Sequence, residues 1–194
     1  MVWEFNVLDK IQQLFANDFW DVVMPRISFL GNAGLIWILL SIFLLLFRHT
    51  RRAGLASGIA LLFMLVTGNL IIKPLVARLR PFTVNTAILV ARTRPYEVIE
   101  GLTMLGVKPS DYSFPSGHTY ASFASSTAIL RDNRRFGIPA LILAALIAFS
   151  RLYLYVHYPT DVLAGTLFGI LAGWLGHLAA LRIEKRFPKL FASE

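Results

Sequence analysis

Four long apolar stretches constrain the fold of this chain more than any other feature of its sequence. They are Ile27–Phe47, Ala53–Ile72, Gly137–Val156 and Val162–Leu181, and each reaches the roughly 20 residues that a transmembrane helix needs. A fifth stretch, Gly117–Leu130, is shorter and rich in Ala, Ser and Thr, which is typical of a helix buried among other membrane helices. With 56% hydrophobic and 15% charged residues, the composition excludes an ordinary soluble domain.

The N-terminal segment has a different pattern. Its apolar residues recur every three or four positions and charged residues lie among them, which predicts an amphipathic helix in the membrane interface rather than a secretory signal. We interpret this helix as peripheral, with no part in catalysis. Its apolar positions are Phe5, Leu8, Ile11, Phe15 and Phe19, with Trp3 and Trp20 beside them.

The basic residues indicate how the chain is oriented. Three clusters follow the first, third and last apolar stretches, so with five spans they all lie on one side of the membrane. By the positive-inside rule that side is the cytoplasm, and the net charge of +8 then reflects orientation and anionic lipid rather than nucleic-acid binding. The clusters are Arg48, Arg51 and Arg52; Arg131, Arg134 and Arg135; and Arg182, Lys185, Arg186 and Lys189.

The expected fold is therefore all-α: a single polytopic membrane domain over residues 1–194, with about five transmembrane helices in a bundle. Residues 1–26 form the interfacial helix and residues 27–181 the transmembrane bundle. Residues 82–112 form an extracytoplasmic loop, and residues 182–194 form a cytoplasmic tail.

The unusual polar residues gather at the opposite, extracytoplasmic ends of the helices. The first group lies in KPLVARLRP, where Lys73 and Arg80 are seven residues apart and share one face of any helix that continues past Pro74. Two cations on one face suit an anion with several oxygen atoms. The alternative is a pair of cations that extend towards lipid headgroups.

The second group is FPSGHT, at the start of the short third helix. Ser116 offers a hydroxyl, and Gly117 allows an anion to approach the free N–H groups of a helix N-terminus. His118 then stands beside an anion site, where an imidazole can donate a proton. The alternative is an N-capping serine followed by an interfacial histidine.

The third group lies in SRLYLYVHYPTD. Arg151 falls within an apolar helix, which marks a candidate functional site, and Ser150 and His157 are seven residues apart on one helix face. Asp161 follows His157 by four residues and is placed to accept its Nδ1–H, which leaves Nε2 free as a nucleophile. The alternative is a structural His–Asp hydrogen bond beside an arginine.

A metal centre on the two histidines and Asp161 is disfavoured, because the three nearby cations favour an anion instead. The chain has no cysteine, so disulfides and thiolate metal sites are excluded. We therefore expect neither a metal nor another cofactor.

Together the three groups resemble the signature of the type 2 phosphatidic acid phosphatase superfamily, whose members are integral membrane lipid-phosphate phosphatases. The matching residues are Lys73-x6-Arg80-Pro81, Pro115-Ser116-Gly117-His118 and Ser150-Arg151-x5-His157-x3-Asp161. The resemblance implies that His157 attacks phosphorus and forms a phosphohistidine, that Asp161 orients it, and that His118 protonates the leaving oxygen. It also implies that the phosphoryl oxygens are held, without a metal, by Lys73, Arg80, Ser116, Gly117 and Arg151.

The resemblance implies metal-independent hydrolysis of a lipid phosphate monoester or pyrophosphate at the extracytoplasmic face of the plasma membrane. Five spans are similar to the shorter bacterial members, which include undecaprenyl pyrophosphate phosphatases, so recycling of undecaprenyl pyrophosphate is the favoured function. The alternatives are a phosphatidic acid or phosphatidylglycerol phosphate phosphatase, a lipid phosphotransferase, and a protein that binds lipid phosphate without cleaving it.

Two features outside the motifs carry further hypotheses. Arg92 and Arg94 lie in the long loop, where they either contact a second phosphate or form part of a solvated lid. Gly165, Gly169 and Gly173 recur every four residues in the last span, which favours a packing face within the bundle and, as a second option, a homodimer.

Overall fold

A computed structural model describes residues 2–84 and 109–191 of the chain. These residues form α-helices joined by short turns, and no β-strand occurs among them. The all-α fold class predicted from the sequence is confirmed.

The N-terminal segment contains two helices where the sequence predicted a single interfacial helix over residues 1–26. α1 spans Val2–Phe15 and α2 spans Asp18–Leu30. Asn17 separates them because its side chain accepts a hydrogen bond from the Trp20 amide at 3.1 Å and so caps a new helix. Both helices pack against the later helix α8, described below.

The first predicted span, Ile27–Phe47, is bent near its start. α2 ends at Leu30, a 3₁₀ turn covers Asn32–Gly34, and α3 spans Leu35–Leu46, with 42° between the two parts. Gly34 lies at the left-handed φ of +68°, which glycine adopts without strain, and this interrupts the helix at the bend. The bend brings the end of α2 under the functional site.

The second span is a continuous helical segment of mixed type. α4 spans Arg51–Met64, a π-helical stretch covers Leu65–Ile72, and α5 spans Lys73–Val76. A short helix α6, Pro81–Val84, follows after a non-helical connection. π-Helical stretches inside α-helices occur frequently at functional sites, and this one leads directly to Lys73.

Helix α7, Gly117–Asp132, lies at the centre of the bundle. It packs against α4 and against two long helices, α8 (Arg134–Tyr153) and α9 (Pro159–Arg186). Its small residues permit this close contact, as the sequence predicted for a buried helix. The predicted glycine face of α9 is likewise confirmed as a packing face, since the backbone of α7 lies directly against Gly165, Gly169 and Gly173.

Three helical segments are long and apolar enough to cross a membrane: Arg51–Val84, Arg134–Tyr153 and Pro159–Arg186. A fourth crossing results if α2 and the bent segment that follows it, Asn32–Leu46, act as one span. α7 has only 16 residues and is enclosed by its neighbours, so it does not meet the same length. The protein is thus a membrane helix bundle, with three or four such spans among its described residues against about five predicted.

The far ends of α4, α7 and α9 meet at one face of the bundle. Arg52 donates to the carboxylates of Asp132, at 2.6 Å, and Glu184, at 2.9 Å. These three residues lie within or next to the three basic clusters of the sequence. The clusters therefore share one face, and the motif residues lie at the other end of the same helices.

Candidate active site

Lys73 and Arg80 converge, but not by sharing a helix face. α5 ends at Val76, and Ala77 takes a left-handed φ of +47°, so the chain leaves the helix before Arg80. Both cations nevertheless reach Asp111: Lys73 Nζ donates to one carboxylate oxygen, and Arg80 Nη2 donates to the other at 2.6 Å. The two cations form a cradle that holds an anionic group with two oxygens.

The PSGH segment lies against this cradle. Ser116 is the N-cap of α7, and its hydroxyl accepts a hydrogen bond from the Thr119 amide at 3.4 Å. A Cβ placed on Gly117 would lie 3.5 Å from Lys73 Nζ, so glycine leaves the space beside the ammonium open. The helix N-terminus and the cation pair therefore face the same small volume.

His118 is half-buried at the start of α7. Its ring packs so closely on Gly31 that a Cβ there would lie 2.9 Å from His118 Cδ2. Within the described part of the chain, His118 Nε2 is buried without a hydrogen-bond partner. A buried nitrogen that lacks a protein partner is available to a bound substrate.

Arg151 lies in α8 and is fully buried. Its Nη1 donates to the Ser28 hydroxyl of α2, and among the described residues Nε and Nη2 have no partner. A buried guanidinium with two free donors is costly unless an anion joins it, which is consistent with a phosphate-binding part. The bent N-terminal region therefore supplies a residue that positions this arginine.

The predicted shared face of Ser150 and His157 is not present. α8 ends at Tyr153, so His157 lies in the turn that connects α8 to α9 rather than on a helix. The Ser150 hydroxyl donates to the Ile147 carbonyl at 2.7 Å and stays within its own helix. A seven-residue spacing marks a common face only where the helix is continuous, and this one is not.

His157 is held from both of its ring nitrogens. Arg80 Nη1 lies 3.0 Å from Nε2, and Nδ1 lies 3.5 Å from Asp161 Oδ2. The hydroxyl of Ser113 lies 3.4 Å from Nδ1 and donates to the same carboxylate oxygen of Asp161. The Tyr158 amide also donates to that oxygen, at 2.9 Å, so Asp161 is fixed by several donors.

The tautomer of His157 follows from these contacts. A guanidinium can only donate, so Nε2 accepts with its lone pair and the proton lies on Nδ1, which faces the Ser113 hydroxyl and the Asp161 carboxylate. Burial lowers the pKa of His157 well below its ordinary value, and Arg80 and Arg151 act in the same direction. The ring is therefore a neutral imidazole whose Nε2 lone pair faces the cations, as a nucleophile requires.

The charge on Asp111 is equally well defined. Burial opposes its ionisation, but Arg80 and Lys73 outweigh that effect and hold the pKa of the carboxyl at about 2. Asp111 is therefore an anion at every physiological pH. It occupies the cation cradle in this structure.

Sequence reasoning missed three residues of the site. Ser113 stands directly before FPSGH, so its position next to a motif was the available signal. Asp111 lies at the end of a loop, and nothing in the sequence pairs it with Lys73 and Arg80. Arg78 lies between those two cations in the sequence, and it donates to Asp161 Oδ1 at 2.6 Å. The loop arginines Arg92 and Arg94 lie outside the described residues.

A half-open cavity of about 800 Å³ extends from the site along α3 and α4. At one end it contacts Lys73, His118 and His157, and at the other it reaches Leu45 and Gly54 near the opposite face. Between these ends the wall is mainly apolar and comes from α3 and α4. Its apolar lining includes Ile38, Ile42, Leu55, Ile59, Leu62 and Leu65.

Comparisons with known proteins agree with this geometry. Undecaprenyl-diphosphatase of Sulfolobus acidocaldarius is 35% identical over 79% of this chain and 66% of its own length, so the match spans slightly less than two thirds of that relative. Undecaprenyl-diphosphatase BcrC of Bacillus subtilis is 33% identical over 82% of this chain and 74% of its own length.

The fold also matches a solved structure. The transmembrane PAP2 type phosphatidylglycerolphosphate phosphatase of Bacillus subtilis superposes with a TM-score of 0.66, covering 92% of this chain and 86% of that protein at 22% identity. A sequence model of the PAP2 superfamily matches residues 52–184, which include all three motif groups. On these grounds the chain belongs to the PAP2 superfamily.

Proposed function

We propose that the protein is a membrane lipid phosphatase that hydrolyses a lipid phosphate or pyrophosphate through a phosphohistidine on His157. The observation that carries this proposal is the environment of the His157 ring. Nδ1 faces an acceptor pair, Ser113 and Asp161, and Nε2 faces a cation. This arrangement directs a neutral nitrogen lone pair at the position where the cations hold an anion.

In the first step, His157 Nε2 forms a bond to phosphorus and the bond from phosphorus to the leaving oxygen breaks. The leaving oxygen is the lipid alcohol oxygen of a monoester or the bridging oxygen of a pyrophosphate. His118 donates a proton to the departing oxygen, and Asp161 stabilises the positive charge on the His157 ring. In the second step water attacks the phosphorus of the phosphohistidine, and His118 accepts a proton from that water. Inorganic phosphate then leaves and the neutral His157 is restored.

Charge stabilisation comes from the protein itself. Phosphoryl transfer mainly requires that the reactants are positioned and that charge on the equatorial oxygens is stabilised. Lys73, Arg80 and Arg151 supply three cations, and the N-terminus of α7 adds backbone N–H groups beside Gly117. This donor set fits an anion and leaves no need for a metal ion in the proposed chemistry.

The cavity between α3 and α4 supports a lipid substrate. It joins the phosphate-binding residues to an apolar wall that extends towards the opposite face of the bundle. A hydrocarbon chain placed there stays in apolar surroundings while its phosphate lies on the cations. Two of the relatives are undecaprenyl-diphosphatases, which favours undecaprenyl pyrophosphate as the substrate. Phosphatidylglycerol phosphate and phosphatidic acid are the other candidates.

The extracytoplasmic location of the site is part of the proposal. The basic clusters lie at the Arg52 face of the bundle, which the positive-inside rule assigns to the cytoplasm. The chain has no cysteine, so single variants Tyr112→Cys and Arg186→Cys report the side directly. An impermeant maleimide should label Tyr112→Cys in intact cells, and labelling of only Arg186→Cys would reverse the orientation.

The activity is tested by phosphate release from the purified protein in detergent with EDTA. Undecaprenyl pyrophosphate, phosphatidylglycerol phosphate and phosphatidic acid are compared at equal surface concentration, with the first expected to be the best substrate. His157→Ala should lose activity by about a thousandfold or more. His49→Ala, an exposed histidine at the opposite face, is the matched control and should retain it.

Rapid quenching with a labelled substrate tests the covalent step. An acid-labile, base-stable phosphoenzyme that disappears in His157→Ala supports the phosphohistidine. Binding of lipid without release of phosphate would favour a binding protein, and transfer of label to an added alcohol in place of water would favour a phosphotransferase. Equal activity of His157→Ala would refute the mechanism.

A further inference from the structure

Arg78 joins the N-terminal helix to the candidate active site. Its Nη1 donates to Asp161 Oδ1 at 2.6 Å and to the Thr160 hydroxyl at 2.7 Å. Its Nη2 donates to Glu4 Oε2 at 2.8 Å, and the Thr160 hydroxyl donates to Glu4 Oε1 at 2.6 Å. One guanidinium therefore connects a carboxylate of α1 to the carboxylate that faces His157.

The burial of these groups shows that the connection is not a surface ion pair. Glu4 is 4% exposed and Asp161 is fully buried. Two buried carboxylates need a cation and several donors to compensate for the loss of hydration. The Arg78 guanidinium lies between them and also stacks on the Tyr158 ring, 3.9 Å from its centroid.

The position of Glu4 differs from what an interfacial helix requires. It lies in the first turn of α1, where a peripheral amphipathic helix would leave a carboxylate in water. Here Phe5 packs edge-on against Tyr158, at 5.6 Å between ring centroids, and the preceding residue, Glu4, is directed into the bundle beside Arg78. The first turn of α1 is thus packed on Tyr158 and Thr160, which lie between His157 and Asp161 in the sequence.

We propose that Glu4 and Arg78 are positioning residues that fix the Asp161 carboxylate, so that α1 is a working part of the catalytic apparatus rather than a membrane anchor alone. This inference rests on the proposed function.

The physical basis is that the two carboxylate oxygens of Asp161 have different hydrogen-bond partners. Oδ2 accepts from Ser113 and the Tyr158 amide and faces His157, while Oδ1 is held by Arg78. Without the bond to Oδ1 the carboxylate can rotate about its χ2 angle, and Oδ2 leaves the side of the ring where it stabilises charge. Glu4 acts indirectly, because it accepts a hydrogen bond from Nη2, the second terminal nitrogen of the Arg78 guanidinium.

Because the phosphate-binding cations lie elsewhere, the effect should fall on kcat. Glu4→Gln keeps the shape and one acceptor but removes the charge, and Arg78→Lys keeps the charge but cannot form the fork. Each should lower kcat by about tenfold to a hundredfold, with KM within about twofold of the parent, as is typical for residues that orient a reacting group. Lys10→Gln, an exposed charge on α1, is the matched control and should change neither constant.

Two measurements separate positioning from a loss of folded protein. Single-turnover formation of the phosphoenzyme should slow in both variants, although the amount of protein that binds substrate stays the same. The double variant should be no slower than Arg78→Lys alone, because Glu4 acts through Arg78. Unchanged kcat in Glu4→Gln and Arg78→Lys, or a fall that only follows the folded fraction, would overturn the inference.

The same experiment distinguishes this inference from the proposed function. If the parent protein forms no phosphoenzyme, the proposed function fails first. If the parent forms a phosphoenzyme on His157 and the Glu4 and Arg78 variants form it at the same rate, only the positioning role fails.

Discussion

Nη1 of Arg80 lies 3.0 Å from Nε2 of His157. This contact places a permanent positive charge next to the nitrogen that attacks phosphorus in the proposed reaction. It fixes the tautomer, because only the unprotonated nitrogen can accept from a guanidinium. It also makes protonation of that nitrogen unfavourable, so the nucleophile stays available in mildly acidic solution.

The pH dependence of kcat/KM tests this relationship. Burial, Arg80 and Arg151 lower the pKa of His157 from its ordinary value of 6.5, so the acid limb of the profile should lie below pH 6.5. Arg80→Gln removes one of these charges and should move the limb to higher pH while it lowers the plateau. Arg186→Gln, at the opposite face, should leave the limb unchanged. An acid limb at or above pH 6.5 in the parent protein would contradict the argument.

Ser113 provides a second test through its contact with Asp161. Its hydroxyl lies 3.4 Å from His157 Nδ1 and donates to the carboxylate, so Ser113→Ala should lower kcat. The expected loss is about tenfold to a hundredfold, since a hydrogen bond to a charged group contributes ~1.5–3 kcal/mol. Ser150→Ala is the matched control, because among the residues that the structure describes that buried hydroxyl bonds only within its own helix, at Ile147. Equal loss in both variants would assign the effect to packing.

The helices themselves could be predicted because the membrane sets their length and composition. Ala53–Ile72 and Val162–Leu181 lie within the long helices of the structure, and the buried position of α7 follows from its small residues. The bend at Gly31–Gly34 and the cap at Asn17 were not predicted. They depend on local backbone geometry inside stretches whose overall hydrophobicity gives no sign of a break.

The site was predicted where the contacts are local and missed where they are distant in the sequence. His157 and Asp161 are four residues apart, and their proximity follows from any compact turn. The pairing of Arg78 with Glu4 spans 74 residues and depends on how α1 packs. The pairing of Asp111 with Lys73 depends on where the loop returns to the bundle, which no periodicity in the sequence describes.

The position of Asp111 predicts that its carboxylate competes with phosphate for the cation cradle. Its carboxylate occupies Lys73 and Arg80, so a substrate phosphate has to displace it. Asp111→Asn should therefore strengthen competitive inhibition by inorganic phosphate, by up to about fivefold, because a half-exposed ion pair contributes at most ~1 kcal/mol. Since the pKa of Asp111 is about 2, its carboxylate stays ionised between about pH 5 and 8. The ratio of the phosphate inhibition constants of the parent protein and Asp111→Asn should therefore stay constant over that range.

The exposed Asp18→Asn serves as the control for that measurement and should leave phosphate inhibition unchanged. Weaker inhibition in Asp111→Asn would mean that the carboxylate organises the two cations for phosphate instead of competing with it.

The contact between α9 and α7 predicts that stability is sensitive to a single methyl group. A Cβ on Gly173 would lie 2.6 Å from the Ala124 carbonyl oxygen, a backbone atom that cannot move aside without shifting α7. Gly173→Ala should therefore destabilise the protein by about 1–3 kcal/mol, as overpacking does in other cores, and lower the midpoint of thermal unfolding in detergent.

Gly58→Ala is the matched change in α4, where a Cβ would meet no atom within 4 Å. Alanine also favours the helix by ~0.5–1 kcal/mol, so this control should hold or raise the midpoint. If Gly173→Ala is as stable as Gly58→Ala, the two helices are not packed backbone to backbone, and the glycine face of α9 would instead be available to a second copy of the chain.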